Sequence, residues 1–216
     1  PLQVRAYVAD LARRVGKRTI GRRLSTLRGF YRWLVREDLR SDSPMHGITN
    51  PKVGRPLPET VPIDTMFALL NGPTGSDPAS LRDRAILQTL YAAGLRVSEL
   101  VALDVVDLDL TERWVRVLGK GRKVRDVPLH EASCDALRAW IRERGVFLGK
   151  GGYSRDHGAL FLNQRGGRLT DRSVRRVLDR EVLRSAASMH VHPHMVRHAF
   201  ATHRLDGGVD VRHVQE

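Results

Sequence analysis

Val4, Tyr7, Val8 and Leu11 recur at i, i+3, i+4 and i+7, the spacing that lines one face of an α-helix, and Gly16 follows as a stop. A second helix begins near Thr19. In it Ile20, Leu24, Leu27, Phe30, Tyr31 and Leu34 make one apolar stripe, with Arg22, Arg23, Arg32 and Arg36 largely off it. Two short helices enclose little core, and the chain opens with Pro1 rather than Met, so this small domain reads as cut short at its start. Between Ser41 and Pro62 stand Ser43-Pro44, Asn50-Pro51, Gly54, Pro56, Pro58 and Pro62, a density of breakers that reads as an interdomain linker.

A second domain follows. The pattern predicts helices over 63–71 and 80–93, the latter closed by Gly94 where a positive φ is tolerated. Residues 113–118 alternate polar and apolar at period 2, as 124–129 do to a lesser degree. Gly119-Lys120-Gly121-Arg122-Lys123 joins them, so the segment is a β-hairpin. Beyond it come a helix at 131–145, a short strand at Leu160-Phe161-Leu162, a basic helix at 171–186, and a last helix at 194–206 opened by Pro193. The fold class is mainly α with a small antiparallel β-sheet, divided into residues 1–47, a linker at 48–62, and residues 63–216.

Composition narrows the function. In 216 residues 41% are hydrophobic and 28% charged, enough for a real core and against intrinsic disorder. There is no run of about 18 apolar residues and no signal-peptide pattern, so no membrane role is expected and the compartment is cytoplasmic. The single cysteine, Cys134, excludes a disulfide framework. Lys+Arg number 37 against 24 Asp+Glu, a net charge of +13, which points to a polyanionic partner. Residues 1–50 carry 11 basic and 4 acidic residues, so +7 of that charge sits in the first domain.

Three stretches carry candidate chemistry. In Ala93-Gly94-Leu95-Arg96-Val97-Ser98-Glu99-Leu100, an arginine follows a helix stop and Glu99 shares its helical face. Taken alone, that is a surface ion pair. Gly119-Lys120-Gly121 places a lysine at a hairpin tip. The Walker spacing is absent, so ATP binding is unsupported, and by itself Lys120 reads as a turn residue. His192-Pro193-His194-Met195-Val196-Arg197-His198 sets His194, Arg197 and His198 on one side of a helix start, a place that favours an anion. Six of the nine histidines fall between His190 and His213, yet no H-E-x-x-H or carboxylate set accompanies them, so no metal is expected. His198 reads as a hydrogen-bonded, half-buried residue rather than a catalytic one.

Together, Gly-Leu-Arg96-Val-Ser-Glu99-Leu, Gly-Lys120-Gly-x-Lys and His194-x-x-Arg197-His198-x-Phe200-Ala201-Thr202-His203 resemble the tyrosine site-specific recombinases of the phage integrase family, with the nearest likeness to the Xer type. Leu81-Arg82-Asp83-Arg84-Ala85 adds to it. The resemblance implies a helical core-binding domain, truncated at its start, and a tyrosine-recombinase catalytic domain, truncated at its end. It implies recombination and integration of double-stranded DNA through a 3′-phosphotyrosyl intermediate, without cofactor, in a tetrameric synapse. By the same resemblance Arg96 and Arg197 clamp the phosphate, Lys120 is the general acid, His194 hydrogen-bonds the phosphate or assists proton transfer from the nucleophile, and Glu99 and His198 support them. Duplex contacts are expected from Arg18, Arg22, Arg23, Arg28 and Arg32 on the second helix and from Arg172, Arg175 and Arg176 on the basic helix. The Xer likeness implies a bacterial, nucleoid-associated protein with a role in chromosome segregation.

The sequence departs from the family at its end, where it stops at Val214-Gln215-Glu216 before the family's nucleophilic tyrosine. Tyr7, Tyr31, Tyr91 and Tyr153 all lie outside the required context, and His213 precedes the position of the next active-site histidine. Arg204 replaces a usual apolar residue. The chain is therefore expected to be a non-cleaving fragment, monomeric without DNA. The alternatives are a non-catalytic DNA-binding regulator on the same fold and a helical nucleic-acid-binding module without phosphoryl-transfer ancestry.

Overall fold

The computed structural model describes residues 2–54, 61–149, 157–185, 189 and 191–206, without the side chains of 120 and 204–206. The chain divides into two compact units, Pro1–Pro58 and Glu59–Glu216.

The first unit holds α1 (Leu2–Arg14) and α2 (Lys17–Arg36). Gly16 turns the chain between them in extended backbone, and its carbonyl accepts from the amides of Thr19 and Ile20. The end of α2 is sealed at Asp38, which adopts φ 55°. The amides of Asp38 and Leu39 donate back to the carbonyls of Val35 and Leu34. Val4, Leu11, Ile20, Leu24 and Met45 form the core, with Val8, Val15, Leu27, Tyr31 and Ile48 against it.

Two expectations change here. Phe30 is not in the stripe: it is 50% exposed and stacks on the exposed Trp33, with ring centroids 6.1 Å apart. At 100° per residue it lies roughly 120° around the helix from Leu24, too far to share its face. The breaker-rich stretch also does not all behave as linker. Met45 is buried in this core, and Arg28 donates to the Ile48 carbonyl (2.6 Å) and to Asn50 Oδ1 (2.8 Å), holding residues 48–50 against α2.

The second unit is built around α4 (Pro78–Ala92), which packs on α3 (Ile63–Asn71), α5 (Val97–Ala102), α6 (Glu131–Glu143), α8 (Asp171–Arg184) and α9 (Pro193–Asp206). Asp77 caps α4 by accepting from the amides of Ala79 and Ser80, and Pro78 occupies the first turn, where no amide is required. The short α7 (Gly145–Gly149) continues α6. The sheet is antiparallel in the order β1 (Leu108–Asp109), β2 (Trp114–Leu118), β3 (Val124–Pro128). Val115 and Val117 face the core while Trp114, Arg116 and Leu118 face out, as a period of 2 requires.

β1 was not expected, and with two residues it is too short to show alternation. Leu160-Phe161-Leu162 is buried but makes no strand. The Leu160 amide donates to Leu103 O, the Leu160 carbonyl accepts from Trp140 Nε1, the Phe161 carbonyl accepts from the Leu169 amide, and the Leu162 carbonyl accepts from Arg82, so its backbone bonds go to separate partners instead of one ladder.

Candidate active site

Three elements of the second unit bring charge to one point. The turn after α4 passes through Gly94 at φ 54°, and a Cβ there would collide with the ring of Phe200 from α9. Two residues on, Arg96 caps α5 from extended backbone, and Glu99 occupies the third helical position. From there Glu99 Oε2 reaches back to accept from the Arg96 amide at 2.8 Å, and Oε1 accepts from Arg96 Nη1 at 2.9 Å.

Glu99 is only 5% exposed, so the pair is not the surface ion pair that the sequence alone favoured. What covers it is Arg125 on β3, whose Nη1 and Nη2 donate to Oε1 and Oε2 at 3.2 and 2.9 Å in a bidentate fork. Arg197 on α9 brings a third guanidinium, its Nη1 3.9 Å from Oε2 and hydrogen-bonded to the Gly94 carbonyl.

Burial alone would raise the Glu99 carboxyl. The hydrogen bonds from Arg125 and from the Arg96 amide and guanidinium outweigh it and bring it down to about 2. Burial followed by repulsion from Arg96 depresses the Arg197 pKa, only partly offset by Glu99. Three guanidiniums thus share one carboxylate, +3 against −1, a local surplus of +2. Arg96 is 48% and Arg197 31% exposed, so the surplus faces solvent. The chemistry of such a cluster is that of an anion site.

His194 stands exposed in the first turn of α9, its ring 6.1 Å from that of His192. His198 is exposed one turn further on, not half-buried as expected. Lys120 opens a short 3₁₀ turn at the tip of the β2–β3 hairpin, made possible by Gly121 at φ 76° and closed by the Gly119 amide donating to Lys123 O at 2.7 Å. Its side chain lies outside the described atoms. Among the described tyrosines, Tyr7 and Tyr31 belong to the first unit. Tyr91 shares a 3.0 Å hydrogen bond with His203 Nδ1, and burial raises its pKa. Tyr153, His190 and His213 lie outside the described residues, as does the Arg204 side chain.

Of the expected duplex contacts, Arg18, Arg22, Arg23 and Arg32 are exposed on α2, and Arg172, Arg175 and Arg176 are exposed on α8. Arg28 is the exception, engaged with Ile48 and Asn50. Sequence reading missed Arg125. The available signal was its place on the inward-facing register of β3 opposite Val117, where a charged side chain requires a partner. Among the described residues no helix is long and apolar enough to cross a membrane, and no three His, Cys, Asp or Glu side chains gather as metal ligands.

Comparison with known proteins gives the class to which the chain belongs. Residues 62–216 match the phage integrase family and residues 1–38 match its N-terminal SAM-like domain, so the chain belongs to that family, the tyrosine recombinases, and its function is site-specific DNA recombination. The tyrosine recombinase XerC of Myxococcus xanthus is 44% identical over 213 residues, covering 99% of this chain and 71% of that protein. A crystal structure of XerA recombinase is similar over the whole chain and 72% of its own, at 27% identity and a TM-score of 0.65. XerH recombinase bound to a palindromic difH substrate shares the fold, with a TM-score of 0.79 at 21% identity, over 100% of this chain and 64% of that one.

Proposed function

We propose that the Glu99 cluster binds the scissile phosphodiester of duplex DNA, with Arg96 and Arg197 on its non-bridging oxygens. A tyrosine oxygen attacks phosphorus as its proton is drawn off with the help of His194, the bond to the 5′ oxygen breaks, and the Lys120 ammonium supplies the proton that oxygen takes up. The DNA is left joined through a 3′-phosphotyrosyl ester. A partner strand's 5′-hydroxyl reverses the step, so the phosphodiester bond energy is conserved. The arginines stabilise charge as it builds on the phosphorane oxygens, from positions already fixed by Glu99 and the Gly94 carbonyl. His194 hydrogen-bonds the phosphate, and His198 supports it. The nucleophile is none of the chain's four tyrosines.

Around this centre we assign duplex binding to Arg18, Arg22, Arg23 and Arg32 in residues 1–47 and to Arg172, Arg175 and Arg176 on α8. Strand exchange takes place in a tetrameric synapse, in the bacterial cytoplasm at the nucleoid, and serves chromosome segregation. Family membership favours recombination over a non-cleaving regulator.

The observation that carries this reading is the +2 surplus around one buried carboxylate, which the single charge of a phosphodiester halves and the second charge that builds on its phosphorane matches. The test is covalent capture of a nicked duplex by the protein as its gene encodes it. Arg96→Ala and Arg197→Ala are each expected to lower capture by about 10²- to 10³-fold while retaining duplex binding. Undiminished capture in either variant would overturn the assignment.

A further inference from the structure

We propose that Arg125 is a positioning residue of the reaction, locking the lysine hairpin to the arginine that holds the phosphate. This rests on the proposed role of Lys120.

The geometry is a three-part joint. Arg125 lies on β3 at the base of the hairpin whose tip carries Lys120, and its fork closes on both oxygens of Glu99. Glu99 in turn fixes the backbone and side chain of Arg96. Gly119, the residue before Lys120, lies directly over the joint. A Cβ added there would come 3.0 Å from Arg125 Nη1 and 3.8 Å from Glu99 Oε1.

One carboxylate therefore has a bond to each side, to the α5 start and to the hairpin root. No other described hydrogen bond ties the hairpin strands to α5. Arg116 and Asp126, the other charged pair on the hairpin, bond only to each other on the exposed face. The tip itself is held by the Gly119–Lys123 bond and a 3₁₀ turn. Val115 and Val117 seat the hairpin in the core, and the Arg125–Glu99 pair is the one described hydrogen-bonded tie that fixes its root against the start of α5. A general acid displaced by about 1 Å can cost roughly 10²-fold in rate, so the joint bears directly on proton delivery.

Arg125 acts through Lys120 on one event only, protonation of the leaving 5′ oxygen. A duplex whose scissile 5′ oxygen is replaced by sulfur separates the possibilities, because a thiolate leaves without a proton. On the ordinary duplex Lys120→Ala is expected to lose about 10²- to 10⁴-fold and to recover on the sulfur duplex. Arg125→Gln is expected to lose about 10²-fold on the ordinary duplex and to recover likewise on sulfur. The double variant is expected to be no slower on the ordinary duplex than Lys120→Ala alone.

Equal loss by Arg125→Gln on both duplexes, or additive loss in the double variant, would overturn the proposal, as would full activity. Failure of Lys120→Ala itself to recover on sulfur would refute the general-acid reading instead, whatever Arg125 does. Thermal melting accompanies each assay. Should Arg125→Gln melt early, Arg125→Lys serves, since it keeps the charge but not the fork. It is expected to show a smaller loss with the same recovery on sulfur, and loss without recovery would count against the joint.

Discussion

Around Glu99 three arginines converge on one carboxylate; around Asp83 and Glu181 three arginines converge on two. In the second cluster Arg82 donates to Asp83 Oδ1 at 2.9 Å and to the Leu162 carbonyl at 3.1 Å, and its guanidinium lies over the Phe147 ring. Arg180 spans Asp83 and Glu181, and Arg184 bonds Glu181 Oε1. That cluster carries +3 against −2. It joins α4 and α8, with Arg82 and both carboxylates buried and fully engaged except for Glu181 Oε2, which has no partner among the described residues. The Glu99 cluster carries +3 against −1, and its arginines keep guanidinium surface in solvent. Arginine-carboxylate clusters alone do not mark a site. Exposure alone does not separate the two either, since Arg180 and Arg184 are 45% and 57% exposed; the Glu99 cluster differs in its larger surplus, +2 against +1.

The comparison breaks first at Asp83. Asp83→Asn leaves Arg82 buried with its charge uncompensated, and is expected to cost about 3–5 kcal/mol of stability in urea unfolding. A cost below about 1 kcal/mol would show that the cluster is not structural. Arg197→Ala reverses the pattern. Covalent capture of nicked duplex is expected to fall about 10²- to 10³-fold, the loss typical of one transition-state charge donor, while unfolding changes much less. If Arg197→Ala unfolds the protein as readily as Asp83→Asn does, the contrast collapses.

Acid sharpens it next. The Glu99 carboxyl is held at about 2 against an ordinary 4.5, so the folded state prefers it ionised. The stabilisation is fully present above pH 4.5 and is lost as pH falls through 2. Its upper bound is about 3 kcal/mol at 1.36 kcal/mol per unit. Glu99→Gln is therefore expected to be less stable than the parent at neutral pH, with the gap narrowing from pH 4.5 toward 2. A gap that stays constant across that range would mean that Glu99 is not held ionised by its arginines.

Much of this was legible in the sequence. Helix faces, the hairpin and the Gly94 stop follow from periodicity and glycine placement, and α3, α4, β2, β3, α8 and α9 fall where these put them. Arg96 and Arg197 were visible as motif residues because each sits beside a backbone signal, a glycine stop or a helix start. Arg125 was not, because its meaning depends on which strand register faces a carboxylate 26 residues earlier, and no local pattern reports that. Glu99 was misjudged for the same reason: an i, i+3 pair looks exposed until a distant strand covers it. Phe30 shows the limit of stripe reading, since apolar residues 3 and 6 positions beyond Leu27 and Leu24 drift off the buried face in a long helix. Leu160-Phe161-Leu162 shows another, since an apolar triplet reports burial but not which partners its backbone takes.

The smallest expected effect tests the first unit by the same contrast of engaged and free arginine. Arg22, Arg23 and Arg28 lie within two turns of α2, yet Arg28 is bonded to Ile48 and Asn50 while Arg22 and Arg23 are exposed. An arginine on a DNA phosphate releases about one counterion, so each of Arg22→Ala and Arg23→Ala is expected to reduce the slope of log affinity against log salt by about 1, whatever the duplex sequence. Arg28→Ala is expected to leave that slope unchanged and instead lower the melting temperature, because it removes the two hydrogen bonds that hold residues 48–50 against α2. Filter binding at four salt concentrations resolves a change of that size. A reduced slope in Arg28→Ala with unchanged melting would mean that Arg28 leaves its partners to meet the phosphate, and that engagement within the unit does not predict which arginines bind DNA.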